Sequence, residues 1–186
     1  MIIGITGTLG SGKGSVVDYL VKKKGFQYLS VTGFMKSVAE SRGITPDRMT
    51  YRNIANEFRA KSPTGLAEAV MEEGRKRGIT DNFVIEAQHA PAEVRFIQSK
   101  GGIEIAVDAD LNIRFERISK RGSEKDQTTF EAFAKHEQEE MKSDDPNKNN
   151  LAAAIAAADY RIENNGTREE LHARIDEVLA DIRPKK

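Results

Sequence analysis

The chain has 186 residues, and its 29 basic residues balance its 29 acidic ones, so the formal net charge is zero. This length fits one α/β domain, and 38% hydrophobic with 31% charged residues is typical of a globular chain. A neutral chain has no long-range field that attracts polyanions. Nucleic acid and membranes are therefore not expected as partners, and any anion must be bound by local geometry.

The chain contains no cysteine, which excludes disulfides, thiolate nucleophiles and cysteine-ligated metal sites. A metal ion would therefore be bound by oxygen atoms. The apolar stretch 151–158 is far shorter than the roughly 20 residues that span a bilayer. The first residues, MIIGITG, are typical of a core strand and not of an export signal, so we expect a cytoplasmic protein.

Short apolar runs alternate with helix-like periodicity along the chain. Strands are predicted at 2–6, 26–31, 83–85, 103–107 and 160–162. Helices are predicted after Gly14 and at 35–41, 48–60, 66–77, 91–99, 111–121, 130–141, 152–157 and 168–182, with Asp110 capping the helix that starts at 111. This order predicts an α/β fold, a five-stranded parallel sheet with helices on both faces and ligands at the carboxyl ends of the strands. We expect a single domain over 1–186.

Residues 7–15, GTLGSGKGS, fit the phosphate-binding pattern G-x-x-x-x-G-K between a predicted strand and a helix. The glycines let backbone N–H groups point inward, the helix adds its positive end, and the Lys13 ammonium can reach the outer phosphates. A glycine-rich turn with an exposed lysine is the alternative. The residues predicted to bind nucleotide phosphates are Gly7, Thr8, Leu9, Gly10, Ser11, Gly12, Lys13, Gly14 and Ser15.

The position after Lys13 usually carries Ser or Thr for Mg²⁺, but here it is Gly14, with Ser15 next. The form GSGKGS resembles the GxGKGT loop of adenylate kinase and related nucleotide kinases more than the loop of GTPases. Ser15 is therefore the candidate hydroxyl on the Mg²⁺ side, and a plain residue of the first helical turn is the alternative.

Further segments resemble the P-loop small-molecule kinases, which include nucleoside monophosphate kinases and dephospho-coenzyme A kinase. The chain is most similar to a prokaryotic family of predicted nucleotide kinases related to the latter. The resemblance implies ATP and Mg²⁺ as cofactors. TGFMKS at 32–37 resembles the acceptor-binding TGDMLR of adenylate kinases, with Phe34 and Ser37 in place of Asp and Arg. Thr32 and Lys36 become candidate acceptor residues, and a helix start with Phe34 in the core is the alternative.

The segment YRNIANEFR at 51–59 resembles the helix that closes over the acceptor in the same kinases. Arg52 and Arg59 are two helical turns apart, so both can face one anion. Arg59 is the favoured acceptor-phosphate residue because Arg holds phosphate oxygens in a bidentate fork. A solvated helix face is the alternative. We expect the helical region 33–78 to bind the acceptor.

The third predicted strand ends at Glu86, where relatives commonly carry Asp-Gly followed shortly by Arg. A carboxylate here can orient Mg²⁺-bound water or an attacking hydroxyl, which makes Glu86 a candidate catalytic and metal-side residue. A hydrogen bond to a loop amide is the alternative. In this chain His89 follows Glu86 shortly, in the region where the relatives carry the Arg, and we expect it to be a polar loop residue.

Arg114, Arg117 and Arg121 recur at helical spacing just before a polar segment, and this resembles the start of the lid of nucleotide kinases. Such arginines neutralise charge on the transferred phosphoryl group. Arg117 and Arg121 are the predicted catalytic pair, in a lid over 121–142, and surface salt bridges are the alternative. His136 is expected on a solvated helix face.

Residues 158–171 resemble the last strand and turn of dephospho-coenzyme A kinases, with Thr167 and Glu170 capping the last helix. The predicted function is transfer of the γ-phosphoryl group of Mg-ATP to a small nucleotide-like acceptor. The loop favours a nucleoside monophosphate, and this last turn favours dephospho-coenzyme A. A nucleotide-binding protein or slow ATPase without an acceptor is the alternative of another class. Base preference and oligomeric state, a homodimer included, stay open.

Overall fold

The structure is a computed structural model that describes residues 1–45, 47–86, 88–122, 129–142 and 149–182. Its strands are β1 Ile2–Gly7, β2 Gln27–Ser30, β3 Phe83–Glu86, β4 Ile103–Asp108 and β5 Tyr160–Glu163. Its helices are α1 Lys13–Lys24, α2 Val31–Ser41, α3 Arg48–Lys61, α4 Gly65–Lys76, α5 Pro91–Ser99, α6 Leu111–Arg121, α7 Phe130–Met141, α8 Leu151–Ala156 and α9 Arg168–Ile182. Within these ranges, none of the helices has the length and apolar character needed to cross a bilayer.

The five strands form one parallel sheet in the order β2-β3-β1-β4-β5. In the central strand, Ile3 pairs with Val84 on one side and with Ile103 on the other. Ile3 and Ile5 are fully buried, as expected for a strand covered on both faces. The predicted α/β fold is confirmed, and the phosphate-binding pattern directly follows the central strand at its carboxyl end.

Helices cover both faces of the sheet, and successive strand residues face different layers. Val84 packs into a core with Leu20 of α1 and Ile175 of α9. Its neighbour Ile85 packs into a second core, built mainly from α2, α3 and α4. This alternation is the period-two pattern of a strand. The helix α2 begins directly after the carboxyl end of β2 and shares the second core with α3.

The second strand ends earlier than predicted. The sequence predicts a strand over 26–31 and a helix from 35, but the strand ends at Ser30 and α2 begins at Val31. The Ser30 hydroxyl accepts the Gly33 N–H at 2.9 Å and caps the helix. Asp110 stands at the predicted cap position of α6, but its side chain makes no cap hydrogen bond.

Glu104 of β4 is a fully buried carboxyl group whose two oxygen atoms have no hydrogen-bond partner among the described residues. It lies over Gly4, where a Cβ would come within 1.8 Å of its Oε1. Burial raises the pKa of Glu104 well above its usual value, and the nearby carboxylates of Asp159 and Glu93 raise it further. The folded protein therefore holds a proton that the unfolded chain loses.

This proton uptake predicts a pH-dependent stability. Because the folded-state pKa is raised, stability falls as pH rises from about 4.5, the unfolded value, toward the raised pKa. Urea denaturation measures the free energy of unfolding at about pH 5 and about pH 8. Its decrease between these two pH values should be smaller for Glu104→Gln than for the wild type. The exposed control Glu169→Gln should behave as the wild type does. Equal pH dependence of wild type and Glu104→Gln would contradict this account.

Candidate active site

The loop after β1 can form only with glycine at its tightest positions. Gly7 has φ 140°, and a Cβ there would lie 1.9 Å from the Val107 carbonyl oxygen. Gly12, which precedes α1, has φ 102°, again in the left-handed region. Gly14 differs, because nothing lies within 4 Å of its Cβ position. Gly14, which replaces the usual Ser or Thr of the phosphate-binding pattern, is therefore required neither by close contacts nor by a positive φ.

Neighbouring strand ends hold this loop in place. The Thr8 hydroxyl donates to Asp108 Oδ1 at 2.7 Å, and Asn164 Nδ2 donates to the Ser11 carbonyl at 2.7 Å. Asp108 ends β4, and Asn164 directly follows β5. No motif in the sequence marks Asp108, and Asn164 was predicted only as part of the segment 158–171 that resembles dephospho-coenzyme A kinases. Their position at carboxyl ends of strands is the signal that could have identified them.

Lys13 begins α1 and its ammonium folds back onto the loop. Nζ donates to the carbonyl oxygens of Gly7 and Thr8, each at 2.8 Å. Burial lowers the pKa of Lys13 to about 8, while the Glu86 carboxylate acts in the opposite direction. The ammonium is thus held in a partly desolvated place, where its attraction for an anion is stronger than in water.

The loop borders a cavity of about 810 Å³, here called the loop cavity. It is lined by Leu9, Gly10, Gly12, Lys13, Gly14, Ser15, Asp18, Glu86, Arg117, Ile118, Arg121, Asn164, Gly166, Arg168 and Leu171. The predicted residues Gly7, Thr8 and Ser11 are buried beneath it. Its cationic side chains outnumber its acidic ones, and one of these cations, Arg168, is marked by no motif in the sequence. The cavity therefore suits a polyphosphate.

Glu86 and Ser15 both line the loop cavity, and Glu86 accepts a hydrogen bond from the Tyr28 hydroxyl. A carboxylate and a hydroxyl are hard oxygen donors of the kind that Mg²⁺ prefers, with phosphates and water completing its shell. Within the described ranges, no group of three or more His, Cys, Asp or Glu residues could hold a metal ion by itself. The residues present fit an Mg²⁺ ion that arrives with nucleotide phosphates.

A second cavity of about 270 Å³ lies between α2, α3 and α7. It is lined by Leu9, Lys13, Val31, Thr32, Met35, Tyr51, Arg52, Ala55, Arg59, Leu66, His89, His136, Glu140 and Asn149. Three of the four predicted acceptor residues, Thr32, Arg52 and Arg59, are therefore brought together. The fourth, Lys36, does not line it and is an exposed partner of Glu40 at 3.6 Å.

Arg59 is engaged by protein groups. It is 2% exposed, its Nε and Nη2 donate to the two oxygens of Glu93 at 2.9 and 3.2 Å, and its Nη1 donates to Asn149 Oδ1 at 2.7 Å. Arg52 Nη2 lies 3.2 Å from His136 Nε2 and 3.7 Å from Glu140. The solvated helix face considered as the alternative is wrong for Arg59. Its role toward an acceptor phosphate stays a prediction.

The helix that leads into the predicted lid, α6, packs against the lid helix α7, and each of them lines one of the two cavities. Phe115 of α6 contacts Phe130 and Phe133 of α7, and buried Arg114 pairs with Glu137. Arg117 and Arg121 line the loop cavity, as the lid prediction requires. Residues 123–128 of the predicted lid lie outside the described residues.

The prediction for one of the two histidines is wrong. His136 is half-buried in the second cavity and not on a solvated face. His89 lines the same cavity, and burial together with the charges of Lys13 and Arg59 lowers its pKa to about 3. His89 is therefore a neutral imidazole at physiological pH, and it lies in the loop before α5, as predicted. No periodicity marked these side chains, because their neighbours come from distant parts of the chain.

The sheet order, the glycine loop and the lysine define a P-loop protein with a kinase-like fold. Shikimate kinase from Aquifex aeolicus superposes with a TM-score of 0.61 at 15% identity over 97% of each chain. Shikimate kinase from Acinetobacter baumannii, solved with shikimate, gives 0.65 at 17% identity over 99% of this chain and 95% of its own. At such identities the likeness shows the fold.

The AAA domain family matches residues 3–144. A UPF0200 protein of Pyrococcus horikoshii is 30% identical over 98% of this chain and 97% of its own. One from Thermococcus kodakarensis is 29% identical over 98% of both. The chain therefore belongs to the AAA domain family of P-loop proteins and to the UPF0200 proteins. The predicted resemblance to P-loop small-molecule kinases is confirmed.

Proposed function

We propose that the protein is a kinase that transfers the γ-phosphoryl group of Mg-ATP to a small nucleotide-like acceptor. One observation carries the proposal: Lys13 lines both the loop cavity and the second cavity. Phosphoryl transfer requires an acceptor oxygen and a leaving oxygen in line on opposite sides of one phosphorus. Two adjoining cavities that share one ammonium offer this arrangement, so the second cavity is called the acceptor cavity below.

The residues divide the work between positioning and charge neutralisation. Backbone N–H groups of the loop and the positive end of α1 bind the donor phosphates. Lys13, Arg117 and Arg121 offset negative charge on the transferred group. Glu86 orients water or the attacking oxygen near Ser15. Mg²⁺, held by Ser15 and Glu86 together with the phosphates, would supply further neutralisation of phosphate charge.

Two acceptor candidates follow from the sequence, a nucleoside monophosphate and dephospho-coenzyme A. The acceptor cavity supports a kinase over an ATPase without an acceptor, because an ATPase needs no second cavity beside its lysine. Apolar side chains, Val31, Met35 and Leu66 among them, line one part of this cavity and can contact an acceptor ring.

The proposal is tested by measuring ADP release from Mg-ATP with and without each candidate acceptor. We expect at least one acceptor to raise ADP release and to appear as a phosphorylated product. ADP release that no acceptor raises would identify an ATPase and overturn the kinase proposal. An absence of both ADP release and Mg-ATP binding would overturn the nucleotide site as well.

Arg121→Ala is expected to lower kcat by about tenfold to a hundredfold while changing the affinity for Mg-ATP less. The reason is that Arg121 lies at the end of α6 on the rim of the loop cavity, where charge on the transferred group develops. Steady-state kinetics with separate calorimetric binding of ATP measures both quantities. Lys120→Ala, at the exposed neighbouring position, is the matched control. Unchanged turnover in Arg121→Ala would exclude the lid role.

A further inference from the structure

The acceptor cavity offers several uncharged hydrogen-bonding groups beside its charged ones. Thr32 and Tyr51 contribute hydroxyls, Asn149 an amide and His89 an imidazole, beside an apolar wall. The wall consists of Val31, Met35, Ala55 and Leu66. Such a lining suits a molecule with a flat apolar face and several hydroxyl groups.

The guanidinium groups of this cavity are already paired with carboxylates. Arg59 is bound by both oxygens of buried Glu93, and Arg52 lies beside Glu140, which itself lines the cavity. A dianionic phosphate entering here would be repelled by Glu140. Drawing Arg59 away would leave the Glu93 carboxylate buried without its partner, which is strongly unfavourable. Among the described lining residues, the remaining ammonium, that of Lys13, also serves the donor phosphates.

His89 is the group best placed to bind the acceptor. Its backbone is held on both sides, since its N–H donates to Glu93 Oε2 at 3.0 Å and its carbonyl accepts the Asn150 N–H at 2.9 Å. Its ring lines the cavity with Lys13, and Nδ1 is buried without a hydrogen-bond partner among the described residues. A buried polar atom without a partner favours a ligand that supplies one.

We propose that the receiving group of the acceptor is a hydroxyl rather than a phosphate, that it belongs to a nucleoside-like molecule, and that it is hydrogen-bonded by His89. This inference rests on the proposed kinase function and narrows its substrate class. The ring system of the acceptor packs on the apolar wall. His89 confers specificity because an uncharged imidazole can hydrogen-bond a neutral hydroxyl. A phosphate would need a further positive charge, which an uncharged imidazole does not supply.

The hydroxyl oxygen of an alcohol acceptor attacks the γ-phosphorus of Mg-ATP. A bond forms between the hydroxyl oxygen and the γ-phosphorus, while the bond from that phosphorus to the β,γ-bridging oxygen breaks. ADP leaves with the bonding electron pair. The hydroxyl proton is released to water. His89 binds the hydroxyl but does not take the proton, since its low pKa makes it a weak base.

The test compares acceptors in the presence of Mg-ATP. Each nucleoside is paired with its own monophosphate: adenosine and AMP, guanosine and GMP, cytidine and CMP, and uridine and UMP. Dephospho-coenzyme A is added as a further alcohol. Phosphorus NMR distinguishes a new phosphomonoester from a new diphosphate. We expect a phosphomonoester, with kcat/KM at least about tenfold above that for diphosphate formation. Equal or faster diphosphate formation overturns this inference and leaves the kinase proposal standing. Absence of any acceptor-dependent product overturns both.

Variants of His89 test the residue assignment with the alcohol acceptor that the first experiment identifies. His89→Gln keeps an uncharged hydrogen-bonding group and should stay within a few-fold of the wild type, whereas His89→Phe should raise the acceptor KM about tenfold. The KM for ATP should not change in either variant, which distinguishes a lost acceptor contact from a folding defect. An unchanged acceptor KM in a folded His89→Phe protein would show that His89 does not bind the acceptor.

Discussion

Lys13→Ala should lower kcat/KM for phosphoryl transfer about a thousandfold. Its ammonium is the cationic group that lines both cavities among the described residues, and it is partly desolvated, so its charge acts strongly on the transferred group. The free energy of unfolding should change by less than about 1 kcal/mol, because the burial that lowers its pKa also makes the charged form costly to the fold. Initial rates and urea denaturation measure the two effects.

Lys23→Ala is the control for this variant, because Lys23 is exposed on the same helix. Its kcat/KM should equal that of the wild type. Normal turnover in Lys13→Ala would show that the loop binds no transferred phosphoryl group. A large loss of stability in Lys13→Ala would instead show that the two hydrogen bonds to the carbonyls of Gly7 and Thr8 hold the loop together.

Glu93→Ala is expected to lower the free energy of unfolding by about 3–5 kcal/mol. Glu93 is 1% exposed and binds Arg59 through both oxygens, and it also accepts the N–H groups of His89 and Ala90. Its removal leaves a guanidinium buried without a counter-charge and two backbone donors without an acceptor. Urea denaturation measures the loss. A loss below about 1 kcal/mol would contradict the pairing described here.

The double variant Arg59→Met with Glu93→Met separates stability from function. It removes both charges and keeps apolar volume, so it should be more stable than Glu93→Ala. Its acceptor KM then tests the prediction that Arg59 binds an acceptor phosphate. An unchanged KM in the folded double variant would limit Arg59 to a structural role.

The strands and helices could be predicted because their signals are local. The β-branched run before Gly7 and the glycine loop itself are contiguous in the sequence, and so are the apolar stripes of α3 and α9. The error at the end of β2 arose because a single hydroxyl, that of Ser30, caps α2 and the helix begins at the next residue, Val31. Residue propensities do not decide between strand and helix here, since both conformations suit the residues around Ser30.

The amino-acid sequence by itself determined the fold class, the phosphate-binding loop and its lysine, because these depend on residue types at fixed short spacings. Only the tertiary structure decided which polar groups meet across the chain. Arg59 pairs with Glu93, and His136 contacts Arg52. These contacts join residues 34 and 84 positions apart. The energy of a charge or an imidazole depends on burial and on partners that arrive through folding, so the acceptor chemistry could be inferred only from the folded protein.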